Sequence, residues 1–233
     1  MGQRNCMPTL LKHLGCTLMS LAPLGLFAQT TASPKLISEN GRYALNIDQV
    51  NYQIQAIDLH SNTVVRQLKL QNKEGKLATI SALYANTKRQ SFILILNDIA
   101  ELWELSFNPK AEPVYQGWVH DYQMGEGIAD TQLFAPRKTP LELTLGCFTF
   151  DASGNYAAGA DQYGKLQIIN LDIRRKIAEL QFAHPVYPCE STIENTGTTS
   201  ILHLKMKMSG QTNNEPAVQI IFIDMKTGQR MNR

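Results

Sequence analysis

Charge of either sign is scarce in this chain. Of 233 residues 18% are charged, and 22 Lys and Arg stand against 20 Asp and Glu, a formal net charge of +2. That leaves no global field to attract a polyanion, so nucleic acid is not an expected partner. No run of 18 or more apolar residues occurs, which excludes an ordinary membrane span. Cysteine is scarcer still. The four present, at 6, 16, 147 and 189, form no Cys-x-x-Cys, no Cys-x-x-Cys-His and no His/Cys cluster at zinc spacing. Neither a covalent c-type haem nor a structural zinc is expected. What the chain does have is apolar side chain: 43% hydrophobic excludes intrinsic disorder, and the length suffices for one or two domains with a sizeable core.

The first residues read differently from the rest. Arg4, Lys12 and His13 precede an apolar run from Leu14 to Ala28, and Gln29, Thr30, Thr31, Ala32 and Ser33 follow. A basic stretch, a short apolar stretch and a small-residue exit form a secretory signal peptide over residues 1–32, with cleavage after Ala28 or Ala32. The protein is therefore expected in the periplasm or another exported compartment, with no membrane span left after cleavage. The mature chain would hold twenty basic and twenty acidic residues, and two cysteines, Cys147 and Cys189.

Beyond residue 33 helical periodicity is almost absent. Short β-branched or aromatic runs bounded by Gly, Asn, Asp and Pro predict an all-β protein. The clearest are 42–47, 52–58, 64–70, 78–84, 91–96, 101–107, 147–150, 166–170, 176–182, 201–205 and 217–224. Three segments, 52–68, 165–180 and 218–231, each run a hydrophobic strand into Asp58, Asn170 or Asp224, then a turn and another strand. Asp and Asn accept hydrogen bonds from turn amides, so they recur at such corners. Units of this size with four strands predict β-propeller blades over 42–76, 77–117, 143–186 and 187–231; a generic β-sandwich is the alternative. Residues 33–233 thus read as about four four-stranded blades, with 118–142 as an inserted polar loop carrying His120, Asp121, Tyr122, Glu126, Arg137 and Lys138. Long polar excursions from a rigid scaffold tend to carry function.

Particular residues then stand out. Residues 81–129, with Glu101-Leu-Trp103-Glu104, His120-Asp121-Tyr122-Gln123-Met124-Gly125-Glu126, Ala135-Pro136-Arg137-Lys138 and the segment Asn170 to Leu180, resemble the cytochrome d1-haem domain family. The resemblance covers roughly 40–182 and is nearer to the periplasmic d1-haem biosynthesis branch than to the d1 domain of cytochrome cd1 nitrite reductase. It implies an eight-bladed propeller holding a tetrapyrrole in its central channel, of which this chain has half the length. It implies a d1-type haem or precursor as cofactor, with His120 as a catalytic or ligating imidazole and His203 as a later pocket residue. Arg137 and Lys138 would meet the macrocycle's carboxylates, Arg bidentately. Partners implied are a second propeller half, a second copy, or other d1-haem assembly proteins. Two family pocket segments are altered here, to Gly146–Asp151 and Val186–Ser191, where Tyr187 stands near the place of a family His. A stand-alone enzyme is not expected. The alternative reading is a degenerate half-propeller acting as a protein-interaction module without cofactor.

Among the remaining residues, Trp103 reads as blade core, His60 as an exposed turn, His184 as a loop residue, and Met206 and Met208 as packing filler. Cys147 and Cys189 each open the first strand after a linker in consecutive units, and in a propeller the first strand lines the channel. They are expected to form a disulfide or to be close neighbours, which needs Cα atoms within about 7 Å. Half of an eight-bladed assembly leaves two open edges and half a channel, so either a tight four-unit closure or pairing with a second chain to complete a larger ring is expected. Mass spectrometry of the protein recovered from an exporting host should show an N-terminus at Gln29 or Ser33. An intact Met1 would contradict the signal-peptide reading.

Overall fold

The computed structural model describes residues 35–116, 128–197, 199–208 and 217–232, all within one compact unit, Ser33–Arg233. Four antiparallel four-stranded sheets follow one another along the chain. The first holds β1 (Lys35–Ile37), β2 (Tyr43–Asp48), β3 (Gln53–Asp58) and β4 (Thr63–Lys69), in that order. The second begins with β5 (Ile80–Asn86), β6 (Ser91–Leu96) and β7 (Glu101–Ser106). The chain then leaves for a two-stranded ribbon, β8 (Val114–Gln116) with β9 (Ile128–Asp130), and returns as β10 (Pro136–Pro140) beside β7. The third sheet is β11 (Cys147–Phe150), β12 (Tyr156–Ala160), β13 (Lys165–Asn170) and β14 (Arg175–Gln181). The fourth is β15 (Thr192–Thr196), β16 (Thr199–Met208), β17 (Ala217–Asp224) and β18 (Arg230–Met231).

The corner grammar of the sequence has a common cause in all four sheets. The third strand of each ends on a side chain that accepts amide hydrogen bonds from the turn it enters, so the turn is closed locally. Asp58 Oδ1 accepts from His60 and Ser61, Asn170 Oδ1 from Asp172 and Ile173, Asp224 Oδ1 from Lys226, and Ser106 Oγ from Asn108. The sheets stack because the central strands of the second and third sheets are apolar on both faces, and side chains alternate across a strand. β6 is buried at all six positions: Phe92, Leu94 and Leu96 join Tyr43, Leu45, Ile54 and Trp103 in a core between the first and second sheets. Ile93 and Ile95 join Phe148, Ala157 and Ile169 between the second and third. A third core, with Ala158, Leu166, Ile168, Leu202, Leu204 and Ile223, lies between the third and fourth. Among the described residues these three clusters join consecutive sheets, and none joins the fourth sheet to the first, so the expectation of a tight four-unit closure is not met. The far face of the first sheet is polar, with the Gln67 amide donating to Gln53 at 2.7 Å.

Two features depart from the sequence reading. The segment 118–142 is not wholly a loop, because Pro136–Pro140 is the fourth strand of the second sheet, paired with Glu101–Leu105. Its two prolines hid it. An outermost strand has one unpaired edge and tolerates them. Cys189 does not open a strand but lies in a 3-10 turn, Pro188–Glu190, just before β15. The strand β12, YAAGA, also lacks the bulky residues of its neighbours. Phe148 lies across Gly159, where a Cβ would come 2.5 Å from the ring, so this position accepts no side chain.

First strands of neighbouring sheets lie side by side: β1 packs on β5, and β11 packs on the 3-10 turn before β15. Cys147 and Cys189 are joined by a disulfide there, with Cα atoms 5.3 Å apart and a separation of 42 residues. In the chain-entropy picture a loop of that size is worth about 4 kcal/mol. Replacing both cysteines by serine should therefore lower unfolding stability by a few kcal/mol, read as a lower urea midpoint. A midpoint equal to that of the oxidised parent would count against the cross-link as a source of stability.

Candidate functional site

The ribbon β8–β9 carries the segment that the sequence marks most strongly. Its base is held from three sides. Arg66 of β4 pairs with Asp130, both largely buried, and also donates to Gln132. Val114 and Phe134 are buried beneath it. On the other flank, Arg137 of β10 donates through Nη2 to the Glu112 carbonyl at 2.6 Å. The ribbon is thereby tied both to the outermost strand of the first sheet and to that of the second.

Next to it sits a buried charge knot between the second and third sheets. Arg89, from the β5–β6 turn, grips Glu104 bidentately at 2.7 and 3.0 Å, and its Nη1 reaches Asn155 at 2.8 Å and Asp172. Arg89 and Glu104 side chains are 11% and 4% exposed. Burial opposes the guanidinium's charge, but Glu104 and then Asp172 more than offset it, so Arg89 is held charged more firmly than a free arginine. Around this knot two adjoining cavities open, of about 400 and 370 Å³. Arg137 and Glu112 line both; Lys88 adds to the first, and Tyr115 and Arg174 to the second. Arg137 keeps guanidinium hydrogens beyond the one given to Glu112, so this cleft is suited to planar carboxylates or other oxyanions.

The residues singled out from the sequence are not brought together. His120, Asp121, Tyr122 and Glu126 lie outside the described residues. Arg137 and Lys138 both sit on β10, three strands out from β5, or roughly 14 Å at ordinary strand spacing, so neither borders the first strands where a channel ligand is expected. The two also point to opposite faces. Lys138 turns toward the first sheet, where its ammonium stacks 4.2 Å from the Trp103 ring centre and donates to the Gln71 carbonyl. Burial holds that ammonium below the ordinary lysine range, with Glu101 and Glu74 pulling the other way. Lys138 is therefore a packing cation and not a free ligand group. His203 is similarly engaged: its Nε2 meets Glu194 at 2.8 Å and its ring packs edge-on against Phe222. It is turned away from the core of the fourth sheet, because its neighbours Leu202 and Leu204 take the inward positions. Trp103 is core, as read, between the first and second sheets, and Met206 is core between the third and fourth. Arg89, Arg174 and Glu112 were not singled out, since their partners lie up to 83 residues away. The signal available in the sequence was the pair of basic residues Lys88-Arg89 in a short turn.

Four such sheets, stacked face to face and converging at their first strands, make the chain an all-β, partial β-propeller. Comparison with known proteins gives that class a particular likeness. Over 145 residues the chain is 23% identical to the Dihydro-heme d1 dehydrogenase of Pseudomonas aeruginosa, a match that takes in 62% of this chain. The chain spans about a quarter of that relative's length, since the match covers 25% of it. The solved structure of Dihydro-heme d1 dehydrogenase NirN in complex with DHE superposes with a TM-score of 0.60 at 18% identity, covering 85% of this chain and 36% of that one. Hydrazine synthase of Kuenenia stuttgartiensis gives a TM-score of 0.49 at 12% identity, over 89% of this chain and 52% of its own. No family model matches. The chain resembles the cytochrome d1-haem domain family, and the fold it shares with it is the propeller.

The described residues fit a d1-type tetrapyrrole in part. Arg137 and Arg174 supply hydrogen-bond donors for carboxylates, although away from the first strands; β5, β11 and β15 carry no basic residue at all. Among the described residues no group of three His, Cys, Asp or Glu gathers to hold a metal ion, and no helix is long and apolar enough to cross a membrane. The charge knot sets the wall of the cleft. Replacing Glu104 by Gln should leave Arg89 buried and under-compensated, and cost about 3 kcal/mol in a urea unfolding measurement. Replacing Arg89 and Glu104 together by Met and Leu should recover most of it. A double variant that loses as much as the Glu104→Gln and Arg89→Met single variants summed would show that the pair is not energetically coupled.

Proposed function

We propose that this chain is an exported, d1-haem-related propeller segment that binds a d1-type tetrapyrrole or a precursor of one, as a binding module and not as a stand-alone enzyme. The observation that carries the reading is the arginine cleft at the base of the ribbon, whose strands Val114–Gln116 and Ile128–Asp130 flank in sequence the segment most like the d1-haem family. Dihydro-heme d1 dehydrogenase, the relative, is named for a tetrapyrrole of this kind. In this reading Arg137 and Arg174 hold ligand carboxylates at the outer end of the second and third sheets, and Arg89, Glu104 and Asp172 fix the wall behind them. His120, from the ribbon segment, is the imidazole that would ligate iron or exchange a proton with the macrocycle. When bound, the tetrapyrrole supplies a redox-active iron; the chain supplies orientation and charge. Partners in this reading are the remaining blades of a larger ring, a second copy, or other d1-haem assembly proteins.

The second reading, an interaction module without cofactor, is favoured by one observation: among the described residues the cores join consecutive sheets, and no sheet lies against the outward faces of the first and fourth. One titration separates the two. Adding d1-haem, and separately haem b, to the purified full chain should shift the Soret band and saturate. Arg137→Ala should weaken that binding by about tenfold or more, the loss of a charge-assisted hydrogen bond, and His120→Ala should change the bound spectrum. An unshifted spectrum with both haems leaves the interaction-module reading.

A further inference from the structure

A cavity of about 570 Å³ lies at the opposite end of the strands from the arginine cleft. It is within the range of small-molecule sites. Three segments build it: the link from the second sheet to the third, the β12–β13 turn, and the link from the third sheet to the fourth. Leu143, Ala160 and Val186 give it an apolar wall, Tyr163 and Tyr187 add two phenol rings, and Asp161 brings a carboxylate. Among the described residues that line it, Asp161 is the one that carries charge.

Each segment is fixed before any ligand arrives. The Leu141 amide donates to Ala100, Thr144 Oγ1 to the Asn97 carbonyl, and the Gly146 amide to Ala160. The β12–β13 turn is closed by Asp161 Oδ1, which accepts from the Tyr163 and Lys165 amides at 2.9 and 2.8 Å. Gly164 in that turn has φ +85°, and a Cβ there would stand 2.4 Å from the His184 carbonyl, so turn and link are locked together. The disulfide and the Val186–Met206 bridge hold the third segment. Asp161 Oδ2 is left over. Among the described residues no salt bridge neutralises Asp161, and the Lys165 ammonium is taken by Glu179 at 3.0 Å. The Tyr163 ring, which folding gains nothing by exposing, is 72% exposed at the rim.

We propose that this groove is a binding site for an organic cation, an ammonium carried on an apolar body. The carboxylate and the faces of the tyrosines meet the positive charge, and Leu143, Ala160 and Val186 cover the apolar part. An anion is disfavoured by the same carboxylate. The site is independent of the tetrapyrrole reading: it is formed by different residues at the other end of the sheets and takes charge of the opposite sign.

Benzyltrimethylammonium, benzyl alcohol and phenylacetate serve as probes for the isotopically labelled full chain, followed by amide chemical shifts. The cation should move the Gln162, Tyr163 and Val186 amides and bind more tightly than benzyl alcohol, with phenylacetate weakest. Asp161→Asn keeps Oδ1 as the acceptor that closes the turn but removes the charge, and should weaken the cation by about tenfold. Tyr163→Ala, at an exposed side chain, should weaken it by a smaller factor with the fold unchanged. The proposal is overturned if the three probes bind alike, if Asp161→Asn binds the cation as tightly as the parent, if the shifts fall elsewhere, or if the cation produces none.

Discussion

Everything in this fold depends on sheets that are apolar on both faces. A strand such as Ser91–Leu96, buried at every position, cannot stand at a surface. It needs a layer on each side, at a burial worth about 25 cal/mol per Å². The second and third sheets both have such strands, and each is covered on both sides by a neighbour. Serial stacking is the solution that short hairpin-linked sheets allow, and it keeps each sheet's first strand beside the next. The polar far face of the first sheet follows from the same constraint. With no layer against it among the described residues, it carries amides where its inner face carries Leu45 and Ile54.

Polar groups are placed where this stacking leaves room. The corner side chains at Asp58, Ser106, Asn170 and Asp224 satisfy turn amides without reaching outside their own sheet. Arg89 does the reverse, joining turns of two sheets through one guanidinium, and its burial is tolerated because Glu104 and Asp172 both answer its charge. The two ends of the strands have come to differ as a result. One is rich in arginine and holds the ribbon; the other is apolar and acidic.

The strands that bury β-branched and aromatic side chains were legible in the sequence, Ser91–Leu96, Cys147–Phe150 and Ala217–Asp224 to the residue. Those missed had physical reasons to be silent. Tyr156–Ala160 is filled with alanine and glycine because Phe148 occupies the space. Thr192–Thr196 is a first strand with little to bury. Pro136–Pro140 is an outermost strand whose unpaired edge admits proline. The candidate site was less legible than the fold. Arg137 was singled out in the sequence, but its place on an outer strand was not read, because a four-residue motif does not show which strand of a sheet it will form. Arg174 was read only as part of a family-like segment and Arg89 not at all, since their setting is made by segments distant along the chain.

The disulfide has a topological meaning beyond its stability. Between Cys147 and Cys189 lies the whole of the third sheet, β11 to β14, so this blade is a closed covalent ring whose clasp sits at the foot of the fourth. A backbone cut within any of its turns, Gly154 or Gly164 for instance, would leave the two pieces tethered, and under oxidising conditions the third blade cannot be peeled from the fourth. With the disulfide intact, the third blade is the part of this array that a single nick leaves joined.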